Sequence, residues 1–313
     1  MHIVDFQLCH AAEAVCLAQK QLDAARAAVD LPPCELPDLT SLANGLGVAA
    51  VADGRLVGYL GAYGPFHGMF GTWGTVYQEQ FVGVFSPLQA HGLAEDAPPR
   101  TLQRMYQAAA EKWARAGARH HAIALYEQET AAKAVLFRYG FGQRCADAIR
   151  PVETLNAPPV PGVVCRELPA GSGDAVREMR WALDEHLCQS PCFMARTEEG
   201  RREWLDAVKH RDSRLFAASA EGRLIAFIEV CAEGENFLTG HAAMRSICGA
   251  YCEPAWRGQG VSRMLLDCVL GAMAREGVRY LGVDYESFNP TAAGFWEKYF
   301  VPYTASVVRR IDQ

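Results

Sequence analysis

The chain has 313 residues, which is enough for two domains that each bury a hydrophobic core. Half of its residues are hydrophobic and 21% are charged, the balance of a soluble globular protein. The net charge of -6 at pH 7 gives no general attraction to nucleic acid or to anionic lipid. We therefore expect no nucleic-acid partner and no membrane partner.

The eleven cysteines are scattered, and none forms a CxxC pair. The closest pairs, Cys188 with Cys192 and Cys248 with Cys252, lack the second half of a zinc site. No basic region followed by an apolar run opens the chain, and no window approaches the roughly 18 apolar residues of a membrane span. We expect reduced thiols in a cytoplasmic protein that holds no metal.

The first half opens with an extended segment, followed by an amphipathic helix over 11–29 and a hairpin at 52–62. The next segment, 63–74, is rich in glycine and aromatic residues. It is either a lid that carries His67 and Trp73 or an irregular connection. The remaining predicted elements are a strand that ends at Pro87, a helix over 101–116, a strand over 121–126 and a short helix over 131–139.

The composition changes sharply at 156-NAPPVPG-162. Three prolines and a glycine in seven residues are incompatible with a helix or a central strand. This segment is typical of a semi-rigid linker, and it predicts one domain over 1–155 and another over 163–313.

The second half repeats the order of elements of the first. Its predicted elements are helices over 174–188 and 197–210, a hairpin, a buried strand over 246–252 that ends before Pro254, a helix over 261–276, a strand over 279–285 and a short helix over 290–299. Strands mixed with helices in this order predict an α/β (α+β) fold in which helices cover both faces of a sheet.

Two blocks of sequence also repeat. The segment 52-ADGRLVGYLGA-62 matches 220-AEGRLIAFIEV-230, and 125-LYEQETAAKAVLFRYGF-141 lies over 284-DYESFNPTAAGFWEKYF-300 without a gap. Because both pairs occur in the same order along the chain, the two halves are predicted to be a tandem duplication.

The turn from the buried strand into the helix that begins at 261 contains Gly258 and Gly260. The first turn of a helix has unpaired N–H groups and a partial positive charge, and glycine lets an anion approach the backbone closely. Arg257 adds a fixed positive charge there. Taken alone, the two glycines indicate either a tight turn or a phosphate site; the GxxxxGK[ST] and GxGxxG nucleotide fingerprints are absent.

The wider pattern resembles the GNAT acetyltransferase superfamily over essentially all of 163–313. The stretch 257-RGQGVS-262 follows the [QR]-x-x-G-x-[GA] pattern with serine at its last position. Asn289 and Ala292 match the asparagine–alanine helix of that family, and Phe295 and Trp296 match its closing aromatic pair. The resemblance implies two tandem GNAT-like domains, each a mixed, mostly antiparallel sheet flanked by helices.

The resemblance also implies an acetyl-CoA site in the second half. The pyrophosphate would lie on Arg257, Gly258, Gln259, Gly260, Val261 and Ser262. Backbone groups of Ala250, Tyr251 and Cys252 would pair with the pantetheine amides as an added strand does. Asn289 and Trp296 would line the groove in which the two neighbouring strands separate.

The first half lacks these features. Its corresponding stretch, 88-LQAHGLAEDAPPRTLQ-103, contains one glycine, two prolines and the acidic pair Glu95 and Asp96. In the gapless alignment Thr130 replaces Asn289 and Lys133 replaces Ala292. We predict that residues 1–155 are a degenerate GNAT-like domain that binds no coenzyme and instead shapes the acceptor pocket or replaces a second subunit.

Acetyl transfer to an amine needs a group that takes a proton from the ammonium and a group that protonates the leaving thiolate. Where relatives have a glutamate base this chain has Ser246, and where they have a tyrosine acid it has Trp296. Tyr285 and Glu286 are alternatives, but the alignment pairs them with Tyr126 and Glu127 in the inactive half. Glu229 and Tyr251 are therefore the favoured catalytic pair.

The stretch 186-HLCQSPCFM-194 lies where relatives build a substrate loop, and His186 is either a helix cap or a base or contact for the acceptor. We predict a cytoplasmic, acetyl-CoA-dependent N-acetyltransferase that acts on the amine of a small molecule, as a monomer or homodimer. The alternatives are an acyl-CoA-binding regulatory protein without turnover and an acetyltransferase for peptide or protein amines.

Overall fold

The computed structural model describes residues 1–68, 82–194, 198–210, 213–232 and 234–312. The chain divides into two compact units that differ from the two halves of the sequence. Among the described residues, the first unit comprises 1–68, 82–146 and 302–312, and the second comprises 147–301. The predicted boundaries therefore differ from the compact units at 147–155 and at 302–312. Trp73 lies outside the described residues.

The first unit contains two sheets. One has the antiparallel order β1 (His2–Asp5), β2 (Val48–Ala52), β3 (Arg55–Leu60) and β6 (His91–Leu93). The other has the order β4 (Tyr63–Phe66), β5 (Gly83–Ser86), β7 (His120–Tyr126), β15 (Thr304–Arg310) and the first part of β8 (Gly142–Pro151). The helices are α1 (Ala11–Ala28), α2 (Thr101–Arg115) and α3 (Thr130–Arg138).

The second unit contains one sheet, whose order is the end of β8, then β13 (Tyr280–Glu286), β12 (Met244–Cys252), β11 (Arg223–Cys231), β10 (Arg214–Ala220) and β9 (Val163–Glu167). Its helices are α4 (Gly173–Cys188), α5 (Glu198–His210), α6 (Val261–Arg275) and α7 (Pro290–Trp296), and the short β14 (Val301–Pro302) follows. The β5–β7 and β12–β13 pairs are parallel, whereas β10–β11, β11–β12 and β7–β15 are antiparallel, which confirms the predicted mixed fold.

The last strand of the chain completes the first unit. β15 pairs antiparallel with the whole of β7, from Thr304 opposite Tyr126 to Arg310 opposite His120. Val307, at the centre of β15, is fully buried in the core of the first unit. The compact units therefore do not coincide with the repeats, because the strand that closes the second repeat obtains its hydrogen bonds from the first unit.

The hairpins of the two repeats have the same geometry. Each turns through two residues with positive φ, Asp53 and Gly54 in one and Glu221 and Gly222 in the other. Turns of this kind match the right-handed twist of the strands that they connect. Each hairpin also carries an irregularity at the same place, after Ala50 in β2 and after Ala218 in β10.

The later elements of the two repeats correspond at a spacing of 160 residues. α2 and α6 begin at 101 and 261, β7 and β13 at 120 and 280, and α3 and α7 at 130 and 290. The gapless sequence alignment used a spacing of 159 and was therefore displaced by one residue here. The structural counterpart of Asn289 is Glu129, not Thr130, and that of Glu286 is Tyr126, not Glu127.

The predicted linker is fixed to the second unit. The carboxylate of Asp267 on α6 accepts the backbone N–H groups of Leu155 at 2.6 Å and Ala157 at 2.8 Å. Further along, Val160 lies beside Gly260, 3.6 Å from the position that a Cβ would take. Proline has no backbone N–H, so the segment has few donors, and a further one, that of Val160, donates to Met264 Sδ of α6 at 3.3 Å.

Replacing Val307 by alanine should destabilise the first unit although the residue lies near the end of the chain. Removing two buried carbon atoms and leaving a cavity costs roughly 2 kcal/mol. Hydrogen–deuterium exchange should become faster in β7 and remain unchanged in β11. The control is Val301→Ala, at a side chain that is 54% exposed. Equal protection of β7 in both variants would contradict the assignment of β15 to the first unit.

His121 should make the first unit less stable in mild acid. Burial, with the charge of Arg309, lowers the pKa of His121 from 6.5 to about 4, so between these values the unfolded chain binds more protons than the folded one. Stability is complete above pH 6.5 and is lost as the pH falls towards 4, by up to about 3 kcal/mol.

Urea unfolding at several pH values in this window measures the effect. His121→Asn should flatten the dependence of unfolding free energy on pH, whereas His2→Asn, at an exposed histidine of β1, should leave it as steep as in the wild type. If His121→Asn loses as much stability on acidification as the wild type, His121 is not the residue responsible.

Candidate functional site

The parallel pairing of β12 with β13 ends halfway along β12. Ile247 opposite Val283 is the last pair in the described parts of the two strands. On its other side β12 pairs with β11 as far as Cys252, past a bulge that leaves Cys248 unpaired. From residue 248 onwards, the edge of β12 that faces β13 is therefore without a strand partner.

The helix that follows β12 begins with an open amino terminus. Gly258 has φ +75° and Gly260, at the N-cap of α6, has φ +87°, conformations that L side chains rarely adopt. No side chain caps this terminus. The N–H groups of the first turn are consequently available to an anion.

A cavity of about 660 Å³ lies beside the free edge of β12 and reaches the first turns of α6 and α7. It is lined by most of the residues that the sequence predicted for coenzyme binding: Ala250, Tyr251, Cys252, Arg257, Gly258, Gly260, Val261, Ser262, Asn289 and Trp296. Gln259 and Glu229 are not among the residues of its wall. The Gln259 side chain donates to the carbonyl of Ala255 at 2.6 Å and so stabilises the turn.

Positive charge is concentrated along this wall. The guanidinium of Arg257 donates through Nε to the carbonyl of Cys252 at 2.9 Å and lies 5.4 Å from the ring centre of Tyr251. Arg263, on the first turn of α6, and Lys298 also line the cavity. The sequence prediction did not include these two residues; the signal for Arg263 was its position three residues after the N-cap glycine.

Asn289 caps α7 and faces the cavity. Its Oδ1 accepts the backbone N–H groups of Thr291 and Ala292 and the hydroxyl of Thr291. These three contacts use the carbonyl oxygen, so the group that this buried side chain offers to the cavity is the Nδ2 amide. Trp296, at the last position of α7, packs edge-on against Phe295 and Phe300 and forms an apolar part of the wall.

Glu229 lies in the interior of the second unit. Its exposed fraction is 1%, and its two oxygens accept from Trp204 Nε1 at 3.0 Å and Ser213 Oγ at 2.6 Å. These hydrogen bonds attach α5 and the start of β10 to the centre of the sheet. The prediction that Glu229 is the general base has no support from this position, because both oxygens accept hydrogen bonds in the interior and the residue is not in the cavity wall.

Two phenols line the cavity. Tyr251 is half-buried and packs against the core between α4, α5 and the sheet. Tyr299, three residues after Trp296, is a second phenol in the wall that the sequence prediction did not include. Tyr285 is buried, and its hydroxyl donates to Glu297 at 3.1 Å, so it belongs to the core.

The predicted acceptor loop begins beside the cavity wall. Leu183 and His186, in the last turns of α4, contribute to its wall. Cys192, in the loop itself, is close enough to Glu286 for the two to interact: burial raises the pKa of the Cys192 thiol, and the carboxylate of Glu286 adds to that increase. The loop therefore lies near the end of β13, where Glu286 is situated.

Two cysteines correct the expectation of reduced thiols throughout. Cys231 at the end of β11 and Cys248 in the bulge of β12 form a disulfide, with their Cα atoms 6.4 Å apart. The strands are neighbours at this point, and a separation of 17 residues in the sequence gave no indication of the pairing. Burial raises the pKa of Cys252, a free thiol in the cavity wall.

The corresponding region of the first unit is filled by its own side chains. Glu129, at the N-terminus of α3, accepts from Gln21 at 2.7 Å and from the backbone of Tyr126 at 2.8 Å, and it lies 3.1 Å from His91 of β6. Tyr59 is fully buried against the backbone of Gly92. A carboxylate thus occupies the position at which the second unit offers an amide.

Neither metal ligands nor membrane spans were detected in the described part of the chain. No group of three or more histidine, cysteine, aspartate or glutamate side chains there is arranged to hold a metal ion. Of the helices described above, none has the length and apolar character needed to cross a membrane.

Comparison with known proteins agrees with this geometry. The model of the acetyltransferase (GNAT) family matches residues 178–300, whereas no curated protein sequence matches the chain. A GCN5-related N-acetyltransferase from Sphaerobacter thermophilus is similar in structure, with a TM-score of 0.58 and 17% identity over 96% of this chain and 94% of that one.

Two further solved structures are similar. A tandem GNAT protein from the clavulanic acid biosynthesis pathway has a TM-score of 0.50 and 15% identity, over 100% of this chain and 99% of that one. A glucosamine N-acetyltransferase region of a fungal multi-domain GH3 beta-N-acetylglucosaminidase has a TM-score of 0.52 and 12% identity, over 98% of this chain and 38% of that one. At these identities the similarity establishes the fold alone.

The segment that matches the acetyltransferase (GNAT) family, residues 178–300, lies within the second unit and includes most of the cavity wall. Over its whole length the chain has the fold of solved GNAT proteins, one of them a tandem GNAT protein.

Proposed function

We propose that the protein is an acetyl-CoA-dependent N-acetyltransferase whose second unit transfers an acetyl group to the amine of a small molecule. The observation that carries the proposal is the cavity beside the unpaired edge of β12, which ends at the open amino terminus of α6. A strand edge offers hydrogen-bond partners to amides and a helix terminus offers N–H groups to phosphates, and this cavity has both.

The residues present fit the acyl donor. Its pyrophosphate would receive the N–H groups of the first turn of α6 and the positive charge of Arg257, with Arg263 and Lys298 nearby in the wall. The backbone of Ala250 to Cys252 would pair with the pantetheine amides, and Asn289 Nδ2 would donate a further hydrogen bond. The first unit offers no such arrangement at Glu129, which supports one coenzyme site per chain.

When bound, acetyl-CoA supplies a thioester whose carbonyl carbon accepts the amine. The strand edge and the two helix termini hold and orient it, and this positioning lowers the entropic part of the barrier. Tyr251 is the proposed proton donor to the departing sulfur, because its phenol lies in the cavity wall on the strand that holds the pantetheine.

A small amine is the proposed acceptor. The cavity wall includes the last turns of α4, and Glu286 lies close to Cys192 of the loop that follows, where a carboxylate would attract an ammonium group. The name of one structural relative, a glucosamine N-acetyltransferase region, also denotes a small amine.

We propose a cytoplasmic protein that acts as a monomer or homodimer.

One observation favours a second candidate. Glu229 is fully engaged by Trp204 and Ser213, and a chain without a working base would be an acyl-CoA-binding regulatory protein rather than an enzyme. Acetylation of peptide amines is the third candidate.

Calorimetric titration with acetyl-CoA should give about one site per chain. Arg257→Ala should weaken binding by about tenfold or more, the loss expected for one charge-assisted hydrogen bond. Gly260→Asp should abolish binding, because it adds a negative charge and a strained side chain at φ +87°. The control is Gly240→Asp, at an exposed glycine with open space around it. Unchanged affinity in Arg257→Ala and Gly260→Asp would refute the site, and two equal sites would refute an inactive first unit.

A screen of primary amines should then separate an enzyme from a regulator. With acetyl-CoA and a panel of aliphatic, aromatic and amino-sugar amines, thiol release above hydrolysis is expected for at least one small acceptor. If only amino-terminal or lysine-containing peptides release thiol, the protein is a peptide acetyltransferase. Tight acetyl-CoA binding without thiol release from any acceptor would show that it is a regulator.

A further inference from the structure

The proposed function leaves His186, an ionisable side chain of the cavity wall, without a role. His186 is half-buried in the last turn of α4, and its Nε2 lies 3.0 Å from the hydroxyl oxygen of Thr291 on α7. A histidine that capped its own helix would instead bond to the last carbonyl groups of α4. The ring is therefore held by Thr291 of α7 rather than by its own helix.

The hydrogen-bond network determines which ring nitrogen carries the proton. Backbone N–H groups can only donate, so the Asn289 atom that receives those of Thr291 and Ala292 is the carbonyl oxygen Oδ1. The Thr291 hydroxyl lies 2.6 Å from the same oxygen and must donate its proton to it. That hydroxyl then has only lone pairs to offer His186, and Nε2 must be the nitrogen that carries hydrogen.

The neutral ring consequently has its lone pair on Nδ1. No partner for Nδ1 is present in the part of the chain that the structure describes. Protonation of Nδ1 would leave the bond from Nε2 to Thr291 intact, so the ring can gain and lose this proton without moving. A base that is fixed in orientation and open to a cavity is the arrangement that proton transfer requires.

We propose that His186 is the catalytic base, and that Thr291 positions it and fixes its tautomer. The proposal rests on the acetyltransferase function above. The acceptor arrives as an ammonium and transfers one proton to Nδ1 of His186, which later passes it to solvent. As the carbon–nitrogen bond forms and the carbon–sulfur bond breaks, a second proton leaves the nitrogen, and the thiolate gains one through Tyr251. The products are an amide, a thiol and one free proton.

Geometry favours His186 over Glu229 for this role. His186 belongs to the wall of the cavity, together with Leu183 and Thr291. Glu229 does not, and its two oxygens are occupied by the Trp204 and Ser213 donors. Because Glu229 is only 1% exposed and outside the wall, an acceptor in the cavity has no direct contact with its carboxylate.

Nitrogen NMR tests the tautomer independently of activity. In the full-length 15N-labelled protein near neutral pH, the His186 ring, assigned by its absence in His186→Gln, should show the Nε2–H form. Thr291→Val should shift it towards a mixture of tautomers, and Thr291→Ser should restore the wild-type pattern. Thr291 is exposed, so its replacement should leave the fold unchanged. A ring protonated on Nδ1 when neutral, or a tautomer insensitive to Thr291→Val, would overturn the assignment.

Kinetics with the best amine of the panel test the chemistry. His186→Ala should lower kcat by about 10²- to 10⁴-fold, the usual contribution of a general base, and leave the calorimetric affinity for acetyl-CoA unchanged. Added imidazole should restore part of the rate in His186→Ala and none in Glu229→Gln. The control is His2→Ala, at the surface of the first unit, which should match the wild type.

The outcomes separate this proposal from the function on which it rests. If the wild type acetylates an amine and His186→Ala is equally fast, or is slow but not rescued by imidazole, the base is another group and the acetyltransferase function stands. If the wild type binds acetyl-CoA but acetylates nothing, the function and the base both fail, whatever tautomer the NMR spectrum shows.

Discussion

The separation of β12 from β13 is the constraint on which the site depends. Their parallel pairing stops at Ile247 and Val283, and beyond this pair the backbone of β12 has no neighbour on one side. Unpaired peptide groups in the interior are costly unless a ligand or water satisfies them. The peptide groups of β12 at the gap between the two strands therefore need hydrogen-bond partners. The turns that follow the two strands place the amino termini of α6 and α7 at this gap, where Gly260 and Asn289 leave donors available.

In the first unit, side chains of the unit itself provide hydrogen bonds at the corresponding position. Its helix terminus carries Glu129, which is bound by Gln21 and by the backbone of Tyr126 and lies next to His91. Its hairpin nevertheless retains the turn geometry and the irregularity of its counterpart. The duplication has thus kept the elements that determine folding and changed the few residues that determine binding. Because β15 belongs to the first unit, a cut at the linker would remove a strand from that unit.

The order of elements and most of the coenzyme wall could be predicted from sequence. Local signals are sufficient for these features: Pro254 ends a strand, Gly258 and Gly260 require positive φ, and apolar spacing identifies α6. Catalytic residues were harder, because the gapless alignment paired Glu286 with Glu127 and was one residue out of register with the structure. Glu229 was the favoured base because nothing in the sequence shows that Trp204 and Ser213, 25 and 16 residues before it, both bind its carboxylate.

The sequence by itself determined the duplication, the α/β class and the position of the open helix terminus, since each follows from periodicity or from backbone preferences within a few residues. Only the tertiary structure decided which strand completes which unit, that Cys231 meets Cys248, and which polar side chains face the cavity. These features depend on contacts between segments distant in the chain, and a linear pattern carries no information about them. His186 illustrates the difference. The sequence offered it as a cap or a base, and the contact with Thr291, 105 residues away, gives its ring a defined orientation.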